Sequence, residues 1–402
     1  MSRKNRKKYL NEVVILKEAV KIDKLAPTGQ GVGTLEDGIK AFFWNALPEE
    51  EVLKYRIVKK RAHFIEAIAE EIDNPNPNRI TPKDKQFLST SPWQIMSESY
   101  EEESKVKILK ELYRNLYTSE IKIISDKNFY YYRNKMEYSL YYNFTTEKIE
   151  LAMHLRGSHQ KIPVETSSLE RPEIFKRAQE VVSELNQNGE EARKYQSLLL
   201  RCNQKGEVSG GLFEKHKSHP VFNNLEDQIL GQTYSYSPNG FFQINLPVYE
   251  LALKQISKLV GQAEKVLDLY SGVGTIGLSV ARAKDLTLVE IDKSAYQELE
   301  KNCAGISNAK PILAKSEEAL DYIAPDSVVI LDPPRAGCDI KLIEKLIEVK
   351  PKKVIYLSCN PITQVRDVEK MVSAGAKLES LELFNFFPRT PHIESLASLS
   401  FS

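Results

Sequence analysis

Lys265-Val266-Leu267-Asp268-Leu269-Tyr270-Ser271-Gly272-Val273-Gly274-Thr275-Ile276-Gly277 is the stretch on which the fold of this 402-residue chain turns. An apolar run of strand length, 265–270, gives way to closely spaced glycines and then to a predicted helix over 276–283. That order leaves backbone amides and the positive end of a helix facing one point, where a ligand can sit. A glycine loop of this kind says little alone. A second strand, 286–290, ends on Glu290, about twenty residues further on, where a carboxylate can accept both hydroxyls of a ribose. The pairing points to an adenosine-bearing cofactor without separating NAD from S-adenosylmethionine. The plain alternative is that Glu290 caps a solvated strand end.

Working outward, the chain from Leu246 reads as short alternating helices and strands: a helix over 295–302 and further strands over 328–331 and 354–357. Alternating βα units predict a parallel, doubly wound sheet whose crevice lies at the carboxyl ends of its strands. Two loops at that edge carry chemistry. Asp332-Pro333-Pro334-Arg335 closes one strand, and its prolines stiffen the turn that holds the Asp carboxylate at the crevice. A dehydrogenase has no evident need for this group, whereas a methyltransferase must hold its acceptor in line with the cofactor methyl. Ser358-Cys359-Asn360-Pro361 closes the next strand. Cysteine is often a small buried hydrophobe, and Cys202 and Cys303 are read that way; Cys359, in a loop at a strand's carboxyl end, is read as a nucleophile.

Upstream, the first ~70 residues read as five short strands (12–19, 29–33, 39–44, 51–58 and 62–71), which suits an OB-like barrel of the kind that grips oligonucleotides. Of Phe42, Phe43 and Trp44, at least one is expected in the core by alternation, and core packing is expected ahead of base stacking for two of the three. Asn74-Pro75-Asn76-Pro77-Asn78 is predicted to be an extended linker. Beyond it come a helix over 101–117, a sheet over 130–156, a helix over 172–185 and strands over 197–203 and 232–236. The expected domains are therefore 1–73 (barrel), 74–240 (a central mixed α/β region, with a helix in 97–119 placed to pack on the last domain) and 241–402.

Composition sets outer bounds. With 28% charged and 42% hydrophobic residues the chain is globular, and 56 Lys and Arg against 55 Asp and Glu put any nucleic-acid binding on local patches. The basic residues Arg3, Lys4, Arg6, Lys7 and Lys8 form one patch, read first as a solvated end. Neither an apolar run of about twenty residues nor an apolar leader core is present, so a cytoplasmic protein without a membrane segment is expected. Four scattered cysteines fit a reducing compartment. His154 with His159, and His216 with His219, lack further ligands at convincing spacing, so no metal site is expected.

Taken together, the loops resemble those of the S-adenosylmethionine-dependent RNA uracil-C5 methyltransferases. The resemblance rests on Phe241-Phe242-Gln243-Ile244-Asn245, Asp268-Leu269-Tyr270-Ser271-Gly272-Val273-Gly274, Asp332-Pro333-Pro334-Arg335, Ser358-Cys359-Asn360-Pro361 and His392-Ile393-Glu394, with Tyr132-Arg133-Asn134-Lys135-Met136-Glu137 in the central region. It covers most of the chain, and the N-terminal barrel is similar to the TRAM domain of some members. The resemblance implies a Rossmann-like class I methyltransferase domain, with Cys359 as nucleophile and Glu394 as base. It assigns Gln243, Tyr270, Glu290 and Asp332 to the cofactor, Asp332 also touching the uracil, and the loop glycines Gly272 and Gly274 join them. Where relatives carry a further polar cofactor residue, often Asn or Asp, this chain has Thr275 and Lys315.

A second departure concerns metal. Several members hold a 4Fe-4S cluster through a cysteine-rich segment, and aligning on Gln94 puts Pro82, Leu88, Ser89, Thr90 and Ser91 at those positions, with Ser167 near the later one. No cluster is expected. The expected reaction is methylation of a uridine C5 in structured RNA by a monomer, the target flipped out of its stack. The TRAM-like barrel favours 23S ribosomal RNA over transfer RNA. The rivals are an amino-group methyltransferase acting on adenine N6 or glutamine, which needs no thiol, and an RNA-binding factor that keeps the fold without the chemistry.

Overall fold

The computed structural model describes residues 13–401 apart from 219 and 282–284. The basic tail, His219 and the end of the helix expected over 276–283 lie outside the described residues.

Strands β1 (Val13–Leu25), β2 (Gly31–Thr34), β3 (Lys40–Trp44), β4 (Glu51–Lys60) and β5 (Phe64–Asp73) close into a barrel in the order β1-β2-β3-β5-β4. Alternation decides its core: Ala41 and Phe43 point inward with Val20, Ile22, Val52, Tyr55 and Ala67. Trp44 is also buried, outside the barrel, and Phe42 is half-buried, so two of the three aromatics are packed as expected. The proline-rich linker is pinned rather than free. Arg79 donates from Nε and Nη2 to the fully buried carboxylate of Glu50, at 2.6 and 2.7 Å, and the Asn76 amide bonds the same carboxylate.

Helix α1 (Glu98–Leu112) and strand β6 (Lys122–Ile124) come next. The central sheet has the order β11-β10-β7-β8-β9, from β7 (Lys135–Asn143), β8 (Lys148–His154), β9 (Lys161–Pro163), β10 (Tyr195–Cys202) and β11 (Val208–Glu214). Helix α2 (Pro172–Gln187) covers it with Ile174, Ala178, Val181 and Leu185, one stripe at helical spacing. Burial of each larger aliphatic in such a stripe stabilises by roughly 1.5–3 kcal/mol.

The hairpin β12 (Leu225–Ile229) and β13 (Gln232–Tyr236) leads into α3 (Leu246–Val260), β14 (Lys265–Leu269), α4 (Thr275–Val280), β15 (Asp285–Glu290), α5 (Lys293–Cys303), β16 (Ala309–Leu313), β17 (Ser327–Leu331), α6 (Ile340–Val349), β18 (Lys353–Ser358), α7 (Pro361–Ser373), β19 (Ala376–Phe384) and β20 (Glu394–Phe401). These strands and β6 form one sheet, β16-β15-β14-β17-β18-β20-β19-β6. Its central strands β14, β17 and β18 bury both faces, which is why they read as apolar runs. Val328, Ile330, Ile355 and Leu357 face α3 and α5, whereas Val329, Leu331, Val354 and Tyr356 face α1, α6 and α7.

Three expectations need correction. The sheet is not wholly parallel, because β20 runs antiparallel between β18 and β19. Helix α1 packs on the last domain's core as expected, but β6, within the span given to the central region, also belongs there, pairing with β19 at the edge of the C-terminal sheet. The hairpin β12-β13 likewise buries Leu225, Ile229, Tyr234 and Tyr236 against α3, so the last unit takes in residues before 241.

Candidate active site

The glycine loop is built as its sequence requires. Tyr270, Gly272 and Gly274 all have left-handed backbone, φ +63°, +56° and +89°. A Cβ on Gly274 would sit 2.6 Å from Leu299 Cδ1 and one on Gly277 2.8 Å from Asp268 Oδ2, while one on Gly272 would meet nothing within 4 Å. The first two glycines therefore seat helix α4 on the sheet, and Gly272 borders open space.

Three carboxylates gather around this loop. Glu290, buried, accepts the Gly272 amide on Oε2 at 2.8 Å and the Asp292 amide on Oε1 at 2.6 Å. Each carboxylate oxygen keeps a free lone pair, so these bonds fix the group and leave it able to accept ligand hydroxyls. Asp268 is fully buried: its Oδ2 accepts the Gly277 amide at 2.8 Å, and its Oδ1 has no partner. Burial, reinforced by Asp332 and Glu290, pushes its carboxyl up to about 8. Asp332, half-buried at the end of β17, is pushed up to about 7 by burial. Asp268 carried no sequence assignment. Its signal was a charged residue inside an apolar run of strand length.

Cys359 follows β18 and is half-buried, whereas Cys202, Cys303 and Cys338 are buried, as read above for the first two. Asn360 sets the turn: its side chain accepts the Ile362 amide to cap α7 and donates to the carbonyl of Arg335 at 2.8 Å. That bond ties the loop bearing Cys359 to the loop bearing Asp332 and Arg335. Burial pushes the Cys359 thiol up to about 11, with Glu394 and Asp332 adding to the rise and Arg335 opposing it. Glu394 opens β20 and is 2% exposed, with Oε1 unpartnered. Burial and Asp332 hold its carboxyl well above the ordinary range. Arg335 lies within reach of the His392 ring, 3.3 Å from Nη2 to Nδ1. Neither Arg335 nor His392 had been given a role.

Gln243 is buried in the loop before α3, whose backbone is held from the central sheet. Asn134 donates from Nδ2 to the Gln243 carbonyl at 2.9 Å and Arg201 from Nη2 to the Phe242 carbonyl at 2.8 Å. Asn245 donates to the carbonyl of Phe386, ahead of Glu394. The Phe241 ring is left 73% exposed. The Tyr270 hydroxyl lies beside Ser316 and the Asp339 backbone, Thr275 lies beside the Tyr249 hydroxyl, and Lys315 pairs with Glu318 at the surface. The structure thus brings Cys359, Glu394, Asp332 and the Glu290 loop to one edge of the sheet, and puts Thr275 and Lys315 to other uses.

At the positions aligned with cluster cysteines lies a polar knot. Gln94 donates to Asp84 Oδ2 and Ser91 Oγ at 2.7 Å, accepts the Lys83 and Asp84 amides, and Ser168 bonds the same Asp84. Among the described residues no group of three or more His, Cys, Asp or Glu side chains is arranged to hold a metal ion, and no helix is long and apolar enough to cross a membrane. His154, His159 and His216 are exposed.

Residues 216–400 match the family model described as tRNA (Uracil-5-)-methyltransferase. Over 92% of this chain and 95% of the relative, the sequence is 30% identical to an RNA methyltransferase of Lactiplantibacillus plantarum. It is 26% identical to one of Lactobacillus johnsonii over 97% and 98%. Among solved structures it superposes with TM-score 0.72 on the Pyrococcus abyssi tRNA (uracil-54, C5)-methyltransferase, crystallised with S-adenosyl-L-homocysteine. The two share 22% identity, covering 95% of this chain and 100% of that one.

Proposed function

The chain belongs to the RNA (uracil-5-)-methyltransferase family, and from that premise we propose that it methylates C5 of a uridine in structured RNA through Cys359 and Glu394. The observation that carries this reading is the meeting of a half-buried thiol, a buried carboxylate with an unpartnered oxygen and Asp332 at one edge of the sheet.

Uracil C5 is a poor nucleophile until C6 is attacked. The Cys359 thiolate forms a bond to C6, and the electron pair of the C5=C6 bond moves onto C5 and the adjoining carbonyl. S-adenosylmethionine, when bound, would supply the electrophilic methyl group: the pair on C5 forms the new C–C bond, and the pair of the broken methyl–sulfur bond stays on the sulfur, cancelling its sulfonium charge. Glu394, as carboxylate, then takes the proton from C5; the C–H pair re-forms C5=C6 and the Cys359–C6 bond breaks, returning the thiolate. The donor set fits that cofactor: Glu290 for the ribose, the open space at Gly272, and the unpartnered Asp268 Oδ1 beside the same loop. Gln243, Tyr270, Gly274 and Asp332 complete the proposed binding set. Asp332 also faces the uracil.

The closed barrel supports 23S ribosomal RNA as the substrate. Transfer RNA is the second reading, favoured by the full-length superposition on a transfer-RNA enzyme. Unmodified total RNA, separated by size and incubated with protein and S-adenosylmethionine, tests both by nucleoside mass spectrometry. 5-Methyluridine in the large-RNA fraction supports the first, and in the small fraction the second. Another methylated nucleoside that persists in Cys359→Ala would sink the uracil reading.

A further inference from the structure

Between β19 and β20 the chain runs through Asn385-Phe386-Phe387-Pro388-Arg389-Thr390-Pro391-His392-Ile393 before reaching Glu394. This connection is irregular, yet it is held at almost every residue by parts of the chain remote in sequence. Helix α1 grips it with a fully buried charge cluster. Glu101 accepts the Arg389 amide on both oxygens, at 2.9 and 3.0 Å, and pairs with Arg389 Nη1 at 3.1 Å. Lys105, 3.0 Å from Glu101, donates to Asn385 Oδ1 at 2.7 Å and to the Phe387 carbonyl at 3.0 Å. Tyr132 of the central region donates to the Pro388 carbonyl at 3.0 Å.

The remaining grip comes from Trp93, in the turn that follows the linker, and through it from the barrel. Trp93, 1% exposed, donates its backbone amide to the Arg389 carbonyl at 3.1 Å, while Arg389 Nη2 returns a bond to the Trp93 carbonyl at 2.9 Å. The indole Nε1 of the same Trp93 donates to the carbonyl of Gly29, in the β1–β2 turn, at 2.9 Å. Gly29 itself, φ +98°, lies so close to Pro391 that a Cβ on it would be 2.2 Å from Pro391 Cβ and 2.7 Å from Cγ. The turn therefore presses backbone to ring on a residue three places before Glu394. A barrel that served only to catch RNA would need no buried contact there.

We propose that the barrel is a positioning element of the active site: the Gly29 turn, acting through Trp93 and Pro391, sets the segment that carries His392 and Glu394. The inference rests on the assignment of Glu394 as base. Proton transfer requires the base within hydrogen-bond reach of its proton, and a displacement of about 1 Å costs on the order of 100-fold in rate. Displacing this segment therefore slows departure of the C5 proton while leaving thiol addition and cofactor binding intact, so that enzyme still bonded to RNA through Cys359 accumulates.

The test uses the full chain with Gly29→Ala, which forces the turn off Pro391, and the milder Trp93→Phe, which removes only the indole donor and some ring volume. Glu394→Gln runs beside them. Each is followed for kcat, for KM of RNA and of S-adenosylmethionine, and for RNA-bonded protein on denaturing gels. The expected result is a kcat lowered about 10- to 100-fold in Gly29→Ala and less in Trp93→Phe, an unchanged cofactor KM, and adduct accumulating in both as in Glu394→Gln. Adduct in Glu394→Gln, with Gly29→Ala and Trp93→Phe raising only the KM for RNA, overturns the positioning role and leaves the barrel a handle. Loss of cofactor binding and adduct together in both Gly29→Ala and Trp93→Phe also overturns it, since the contact is then needed for folding rather than for the base. Absence of adduct in Glu394→Gln removes the base assignment itself.

Discussion

Cys359 and Glu394 occupy facing positions just beyond the last rung of an antiparallel ladder. Ser358 of β18 is paired with Ser395 of β20, and one residue further along each strand come the thiol and the carboxylate. Among the described strands of this sheet, β20 is the one that runs against the rest. Two residues separated in sequence by helix α7 and strand β19 thus meet by register alone, without a loop having to reach across the crevice.

Different steps should fail in the two variants. Cys359→Ala is expected to lose methyl transfer by more than about 1,000-fold and to form no bond to RNA, because no other thiol lies exposed at the site. Glu394→Gln should retain addition and stall afterwards. Denaturing gels of enzyme and labelled RNA check both; an adduct in Cys359→Ala would remove its role.

The thiol's reactivity should climb with pH well past the usual thiol range. With Cys359 pushed up to about 11 by burial and by Glu394 and Asp332, iodoacetamide labelling of the free enzyme should rise about tenfold per pH unit from 6 to 10. Because Asp332 raises the thiol and Arg335 lowers it, Asp332→Asn should label faster than the native protein at pH 8 and Arg335→Ala slower. A plateau near pH 8.5 would contradict the geometry.

Stability should move in the opposite direction. Asp268 and Asp332 have folded-state values raised to about 8 and about 7, so the native state holds protons that the unfolded chain has released above its own values near 4. Their contribution is present in full below pH 4 and fades as pH rises through 7 and 8. Melting temperature is expected to fall between pH 5.5 and 8.5, and to fall less in Asp268→Asn, which keeps an acceptor for the Gly277 amide. Equal slopes for the two proteins would refute the assignment.

Much of this was legible in residues taken in order. The five barrel strands, the βα alternation and the loops at Gly272, Asp332 and Cys359 rest on local patterns of glycine, proline and apolar period, and these survive packing because each element buries the face that its pattern dictates. Glu394 is different. Nothing within its own neighbourhood marks it as a base, and only its resemblance to a family motif singles it out; its meaning comes from its seat one residue past the Ser358–Ser395 rung, opposite Cys359. The strand β6 was invisible for a similar reason: three residues carry no period, and the edge of β19 creates the demand for them. Strand β13 is legible over 232–236, but its partner β12 is not, and neither hints at which core the hairpin joins.

The cluster of Glu101, Lys105 and Arg389 should be costly to break. All three are fully buried, and removing one partner from such a set leaves an uncompensated charge, a loss of about 3–5 kcal/mol. Glu101→Gln is expected to lower urea stability by that order, measured from the midpoint at unchanged slope. A change below about 1 kcal/mol would mean that the cations find other partners.

That cluster also orders events during synthesis. Arg389 is translated 288 residues after Glu101, and at about 5–20 residues per second the acid waits roughly 15–60 s for its partner to leave the ribosome. Until then helix α1 carries charges bound for a core that does not yet exist, and strand β6 has no neighbour. The N-terminal part of the chain can therefore form its barrel early, but it reaches its final seat only when the last strands of the protein arrive.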